Sequence, residues 1–341
     1  MKKVRWGILS TAKIGREKVI PALQKSQYCS VDAICSRELE QAQKTATLLN
    51  IKKAYASYDE LLNDREIDAV YIPLPNHMHI EWTIKAMKAG KHVLCEKPIG
   101  LSSAEADKLL KASLDFPHLK VMEAFMYRYH PQWVYAKKLV DEKKIGQLKT
   151  MQSFFTYYNI DPKNIRNRIE VGGGAMMDIG CYCVSFSRFL FGEEPKSVMG
   201  LVERDPVMQT DRMSSGILDF TDGHATFTCS TQLMPHQRVN ILGTEGRIEI
   251  EIPVNIPPDQ KAKITLFTKG GNEEIFFDAI DQYTIQADQF AQAIINDTPV
   301  PFGLEDAVNN MKVIEAVFES AKKKSRVEIL KTINSIQNNQ E

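Results

Sequence analysis

Through residue 125 the sequence alternates between short runs that are apolar from end to end and longer stretches with apolar residues every three or four positions. A strand apolar at every position has no face to offer water, so it belongs in a sheet covered on both sides. Helices connecting such strands provide that cover, and the strands then run parallel. KVRWGIL, SVDAICSR, KKAYA, DAVYIPLP, HVLCE and LKVMEAF read as the strands. REKVIPALQKS, ELEQAQKTATLLN, YDELLND, HIEWTIKAMKAG and LSSAEADKLLKASLD read as the helices between them. Pro21 should kink the first helix, Gly90 should stop the fourth, and Ser102 or Ser103 should cap the fifth. Residues 1–125 therefore predict an α/β domain with a doubly wound parallel sheet, a fold that takes ligands at the carboxyl edge of its strands.

After Phe125 the period becomes two. LKTMQSFFTYY, PKSVMGLVE, MSSGILDFTDGHATFTCSTQ, HQRVNILGTEGRIEIEIP and AKITLFTKG alternate, with turn signals at Asp222-Gly223 and Glu245-Gly246. Residues 126–330 thus predict a second, α+β domain on a largely antiparallel sheet, with helices at PQWVYAKKLVDEKKIG, GGGAMMDIGCYCVSFSRFLFG and two amphipathic blocks near the end. Residues 331–341 read as a polar tail that frays. Two domains suit a chain of 341 residues, since one core usually stops growing at roughly 250–300.

Lys plus Arg balances Asp plus Glu, 43 against 43, so no net field draws the molecule to nucleic acid or an anionic membrane. No apolar run reaches the ~20 residues of a membrane span. The expected partner is a small molecule. Cys29, Cys35, Cys95, Cys181, Cys183 and Cys229 form no C-x-x-C pair, which predicts reduced thiols, a cytoplasmic location, and neither a disulfide framework nor a zinc site.

In a dinucleotide fold the turn after the first strand meets a pyrophosphate, where small residues let backbone N–H groups approach. That turn here is Ser10, Thr11, Ala12, Lys13 and Ile14, with Ser10 and Ala12 in place of the first two glycines of G-x-G-x-x-G. A positive φ at either position would strain it. Ser36 and Arg37 end the second strand where an NAD-preferring fold carries a carboxylate, so a 2′-phosphate and NADP(H) are favoured, with NAD(H) possible. After the fourth strand, Pro73 and Pro75 stop pairing, and Asn76 should cap the next helix facing the crevice. His77 and His79 lack a cysteine or carboxylate at ligand spacing, so a metal is not expected, and a nucleotide or helix-terminus contact is.

The fifth strand ends in Glu96, Lys97 and Pro98, which places an ammonium at the carboxyl edge. Pro98 keeps Lys97 extended and aimed at the crevice. In the second domain GGGAMMDIGCYC, residues 172–183, sets Asp178 and Tyr182 four apart on one helix face behind three glycines that give a flexible backbone. Hydride transfer to or from an alcohol needs a partner for the hydroxyl proton, and a phenol serves if an ammonium lowers its pKa. Lys97 is such a cation.

Together these pieces resemble the glucose-fructose oxidoreductase, inositol dehydrogenase and rhizopine catabolism (Gfo/Idh/MocA) family, from about residue 4 to residue 329. The carriers are the small-residue turn, P-x-x-H after the fourth strand, EKP after the fifth, and D-x-G-x-Y in the second domain. EAFMYRYHPQ and GGGAMMDIGCYC are most similar to the branch of dihydrodiol and xylose dehydrogenases, glucose-fructose oxidoreductase and sugar 3-ketoreductases. The resemblance implies Lys97 as catalytic lysine, Tyr182 as acid/base in place of the histidine of inositol-type members, and Asp178 orienting substrate hydroxyls. It implies that Glu96 and Arg128 border the nicotinamide while Ser36 and Arg37 meet the 2′-phosphate. It further implies a Rossmann-like first domain and an open second-domain sheet that builds a homodimer or homotetramer. The function so implied is NADP(H)-dependent interconversion of a hydroxyl and a carbonyl on a sugar, cyclic polyol or dihydrodiol. The rivals are NAD-dependent glycoside cleavage and a non-enzymatic NAD(P)-binding regulator.

Overall fold

A computed structural model of the chain describes residues 3–329, so the polar tail expected at 331–341 lies outside the described residues. The first domain runs β1 (Val4–Leu9), α1 (Ile20–Lys25), β2 (Cys29–Cys35), α2 (Leu39–Leu48), β3 (Lys53–Tyr55), α3 (Tyr58–Leu62), β4 (Ala69–Ile72), α4 (His79–Lys88), β5 (His92–Cys95), α5 (Ser103–Ser113) and β6 (Val121–Glu123). Its sheet has the order β3-β2-β1-β4-β5-β6 with all neighbours parallel. The strand order reverses between β1 and β4, which opens a crevice at their carboxyl ends. Every residue of β4 is buried, the burial that an unbroken apolar run requires.

Some local signals act where the sequence puts them. Ser102 caps α5, its Oγ accepting from the Glu105 N–H at 3.1 Å, and Gly90 stops the helix before it at φ 75°. Pro21 does not kink a continuous α-helix. A π-turn over Gly15–Val19 precedes it, so the proline falls in the first turn of α1, where no N–H is needed.

The second domain holds α6 (Pro131–Asp141), β7 (Leu148–Tyr158), α7 (Cys181–Phe191), β8 (Ser197–Arg204), β9 (Asp211–Asp219), β10 (His224–Ser230), β11 (Gln232–Gly243), β12 (Gly246–Ile250), β13 (Ala262–Thr268) and β14 (Gly271–Phe277). It closes with α8 (Gln282–Ile295), α9 (Leu304–Lys323) and β15 (Val327–Glu328). Nine strands pair in the order β14-β13-β12-β11-β7-β10-β9-β8-β15. The pairs are antiparallel except β7 with β10, which run parallel at the centre. α6, α7 and α9 cover one face. The other is open, and Met199, Leu201 and Ile217 are exposed on β8 and β9.

α8 belongs in sequence to the second domain but packs on the first. Its Ala287, Phe290 and Ala291 make one stripe, and Phe290 meets Trp6 of β1 with ring centroids 5.6 Å apart. The chain therefore returns to the parallel sheet after building most of the nine-stranded one, and the two are held together by more than one crossing.

Candidate active site

A cleft of about 1000 Å³ lies between the domains. Ala12, Lys13, Ile14, Asn76, Glu96 and Lys97 line it from the first domain, and Tyr157, Arg166, Asp178 and Tyr182 from the second.

At the nucleotide end Ser10 takes φ 142°, the conformation a glycine would hold, and its hydroxyl accepts from the Ala12 N–H at 3.2 Å. The Thr11 carbonyl accepts from Arg16 Nε at 2.9 Å, which ties the turn to the helix after it. Small side chains at Ser10 and Ala12 leave this turn open to an anion, so the residues present fit a dinucleotide phosphate. At the end of β2 Ser36 is half-buried and Arg37 exposed. Both stand outside the residues that line the cleft.

Asn76 and His79, both expected around the cofactor, line the cleft and also make contacts within the protein. Asn76 does not cap a helix: it opens a short 3-10 turn, Asn76–Met78, after Pro75, and its Nδ2 donates to the Gly172 carbonyl at 2.8 Å across the domain interface. His79 is fully buried with Nδ1 2.7 Å from the Pro98 carbonyl and Nε2 2.8 Å from the Leu74 carbonyl. Burial pushes its pKa down to about 4, so the ring is neutral and its single N–H donates to one of these two carbonyls, which braces the turn after Lys97.

The chemical end converges on Lys97. The Lys97-Pro98 bond is cis. The next amide, Ile99 N–H, donates to Glu123 Oε1 at 2.7 Å. Lys97 Nζ donates to the Asp178 carbonyl at 2.7 Å and to Asp178 Oδ1 at 3.3 Å, and stands 5.0 Å from the centroid of the Tyr182 ring. Burial pulls the Lys97 pKa down, but Asp178, with Cys181 and Glu96, outweighs it and leaves the ammonium above its ordinary value. Glu96 is held by the Tyr71 hydroxyl, which donates at 2.5 Å, and burial raises its carboxyl pKa against the pull of Lys97.

Asp178 also accepts at Oδ2 from the Tyr157 hydroxyl at 2.7 Å and from Arg166 Nε at 2.9 Å. Burial raises its pKa, yet Lys97, Arg166 and the Tyr157 hydrogen bond more than offset that and hold it at about 2. The carboxylate is charged throughout the working pH range. Arg166 is 44% exposed and presents its guanidinium to the cleft.

Tyr182 is 5% exposed, packed edge-on against Phe125, Tyr127 and Phe155. Among the described residues its hydroxyl donates to the Met126 sulfur at 3.4 Å. Burial, with Tyr283 and Glu96 nearby, drives its pKa well above the usual phenol value. The expected lowering by Lys97 is not the dominant effect, because that ammonium is engaged by Asp178.

Arg128 is 4% exposed and does not reach the cleft. Its NH1 donates to Asp306 Oδ2 at 2.5 Å, its NH2 to Ser185 Oγ at 2.7 Å, and its Cζ lies 4.3 Å from the Phe302 ring centroid. A buried guanidinium needs such partners, and they hold it behind the cleft wall.

The glycine run acts through close approach, not flexibility. A Cβ on Gly172 would come 2.3 Å from Leu101, and one on Gly174 1.9 Å from Asp211 Oδ1. Arg166 and Tyr71 carry no sequence signal strong enough to select them. Arg166 sits in the irregular stretch after β7, where no periodicity fixes a direction, and Tyr71 reads as one more apolar strand residue. Among the described residues no group of three His, Cys, Asp or Glu could hold a metal ion.

Comparison with known proteins agrees with this architecture. Residues 4–115 match the model described as "Oxidoreductase family, NAD-binding Rossmann fold", and residues 133–249 match "GFO/IDH/MocA C-terminal domain". The chain is 41% identical over 329 residues to an uncharacterized oxidoreductase of Rhizobium meliloti, covering 95% of this chain and 98% of the relative. It is 36% identical over 326 residues to D-xylose 1-dehydrogenase (NADP(+)) 2 of Haloferax volcanii, covering 95% and 99%. Among solved structures, a 3-ketoreductase from Actinomadura kijaniata in complex with NADP and TDP-benzene superposes with a TM-score of 0.88 at 26% identity, over 94% of this chain and 98% of that one. Sheet topology, cleft and full-length matches agree: the chain belongs to the Gfo/Idh/MocA family of oxidoreductases, with an NAD(P)-binding Rossmann domain.

Proposed function

We propose that the protein is an NADP(H)-dependent oxidoreductase that interconverts a hydroxyl and a carbonyl on a sugar, cyclic polyol or dihydrodiol-type substrate. The observation that carries the reading is the meeting of Lys97 and Tyr182 from separate domains, 5.0 Å from Nζ to ring centroid, at the wall of one cleft. A bound nicotinamide supplies or accepts the hydride. Tyr182 transfers the proton at the substrate oxygen, Lys97 holds that oxygen, and Asp178 fixes the ammonium while Arg166 offers N–H groups to a second substrate oxygen. With its pKa raised, Tyr182 is protonated at neutral pH, so the resting site is ready to donate, the direction of carbonyl reduction.

Ser36 and Arg37 at the end of β2 support a 2′-phosphate, and the relatives named for NADP support the same choice. The open apolar face of the second-domain sheet supports docking of a second copy of the chain.

A fluorescence titration with NADPH and NADH, then a screen of aldoses, keto-sugars and trans-dihydrodiols by nicotinamide absorbance, tests the reading. NADPH is expected to bind on the order of tenfold tighter or more, with a net absorbance change on at least one substrate class. Sugar release without net absorbance change would favour glycoside cleavage instead. Nucleotide-dependent association with a partner and no turnover would favour a regulator.

A further inference from the structure

We infer that Asp211 is a positioning residue for the catalytic pair: from the second-domain sheet, its carboxylate clamps the start of the helical segment that carries Asp178 and Tyr182. The inference rests on the roles proposed for Lys97 and Tyr182, and concerns how they come to face each other.

Asp211 is the first residue of β9 and is 2% exposed. Its Oδ2 accepts from the Met176 N–H at 2.7 Å and from the Ser214 hydroxyl at 2.9 Å. Its Oδ1 lies against Gly174, which turns at φ 127° and leaves no room for a Cβ. The Gly174 carbonyl in turn accepts from the Asp178 N–H at 3.0 Å. One carboxylate therefore meets Gly174, two residues before the π-turn Met176–Gly180, and Met176, its first residue; Asp178 lies within that turn and Tyr182 in the first turn of α7 that continues it. Asp211 itself is not among the residues that line the cleft.

A buried carboxylate is a poor choice for stability alone. Burial raises its pKa from 3.8 to about 6, against the opposing pull of Met176 N–H, Ser214 and Arg204 of β8. Tyr157 of β7 and Cys229 of β10 are the titratable neighbours that feel its charge. The folded state thus binds the proton more tightly than the unfolded one, and the residue lowers stability as pH rises from about 3.8 to about 6. What the charge provides is a strong, directional acceptor for Met176 N–H. As pH falls through about 6 that acceptor is neutralised, and turnover should fall with it.

Asp211→Asn and Asp211→Ala, with the wild-type protein beside them, test the assignment through kcat, NADPH affinity, melting temperature and the pH profile of kcat. Asp211→Ala is expected to keep its NADPH affinity and lose on the order of a hundredfold in kcat, the scale of a small misplacement of reacting groups. Asp211→Asn, which like the protonated acid keeps an acceptor without the charge, should show at neutral pH the lowered kcat that the wild type reaches below about pH 6, keep its NADPH affinity, melt no lower than wild type, and lose the acidic limb near pH 6. An Asp211→Ala kcat within about twofold of wild type overturns the inference, as does an unaltered acidic limb in Asp211→Asn, which decides alone if the alanine variant does not fold. Turnover lost in Lys97→Met but unaffected at Asp211 leaves the proposed function standing and removes only this role. No turnover by the wild type on any substrate class takes down both.

Discussion

Ser10 holds φ 142°, a conformation that costs a residue with a Cβ about 1–3 kcal/mol. Its hydroxyl offsets part of that cost by accepting from the Ala12 N–H at 3.2 Å, while its bond to the Pro73 carbonyl, at 3.4 Å, is long and weak. Ser10→Gly should therefore stabilise the folded chain by about 1 kcal/mol net of the freedom glycine adds to the unfolded state. The urea midpoint reads the outcome, and a lower midpoint would show that the hydroxyl bonds outweigh the strain. Sequence chemistry anticipated this strain because a turn at a pyrophosphate demands glycine geometry. It also singles out Lys97, Asp178 and Tyr182, which the structure brings to one cleft, since each is a reactive group next to a local signal, a proline or a glycine run, that fixes its direction. The burial of Arg128 was not legible for the opposite reason: nothing in a one-dimensional sequence shows that Asp306 and Ser185 stand ready to bury it. Arg166 and Asp211 were invisible because their roles depend on partners far along the chain.

Among the elements, period two in β8 decides which surface remains available. Val198 is buried toward α9 while Met199 and Leu201 point away, 51% and 75% exposed. Two such side chains beside Ile217 make an apolar patch that water penalises, and a second copy of the chain would cover it. Leu201→Asp should then leave the fold and the cleft intact but convert a multiple-chain mass in light scattering to the single-chain mass. An unchanged multiple-chain mass would place the assembly surface elsewhere, and a single-chain mass in the wild type would remove the proposed assembly. Alternation in the sequence made this sheet legible, and the apolar-throughout runs made the first one legible. It did not reveal that β7 and β10 pair in parallel, because period two is the same in either orientation. Nor did it show that α8 packs on β1, since an amphipathic stripe states that a face is buried without stating against what.

At the scale of the whole molecule the site exists only where the domains meet. The first contributes an ammonium on a turn braced by His79 and Glu123, and the second contributes a carboxylate and a phenol on one helical segment. Asn76 to Gly172 and the return of α8 hold the two in register. Under the proposed function, neither half alone could bring a proton donor to an oxygen poised over a nicotinamide. Lys97→Met and Tyr182→Phe separate these contributions, because each removes a reactive atom while keeping most of the side-chain volume. The deciding measurement is nicotinamide absorbance change on a substrate the wild type turns over, recorded for both variants alongside their NADPH affinity. Loss of turnover by a factor on the order of a thousand or more in each, with NADPH binding retained, is the predicted result. Near-normal turnover in either variant would contradict the account.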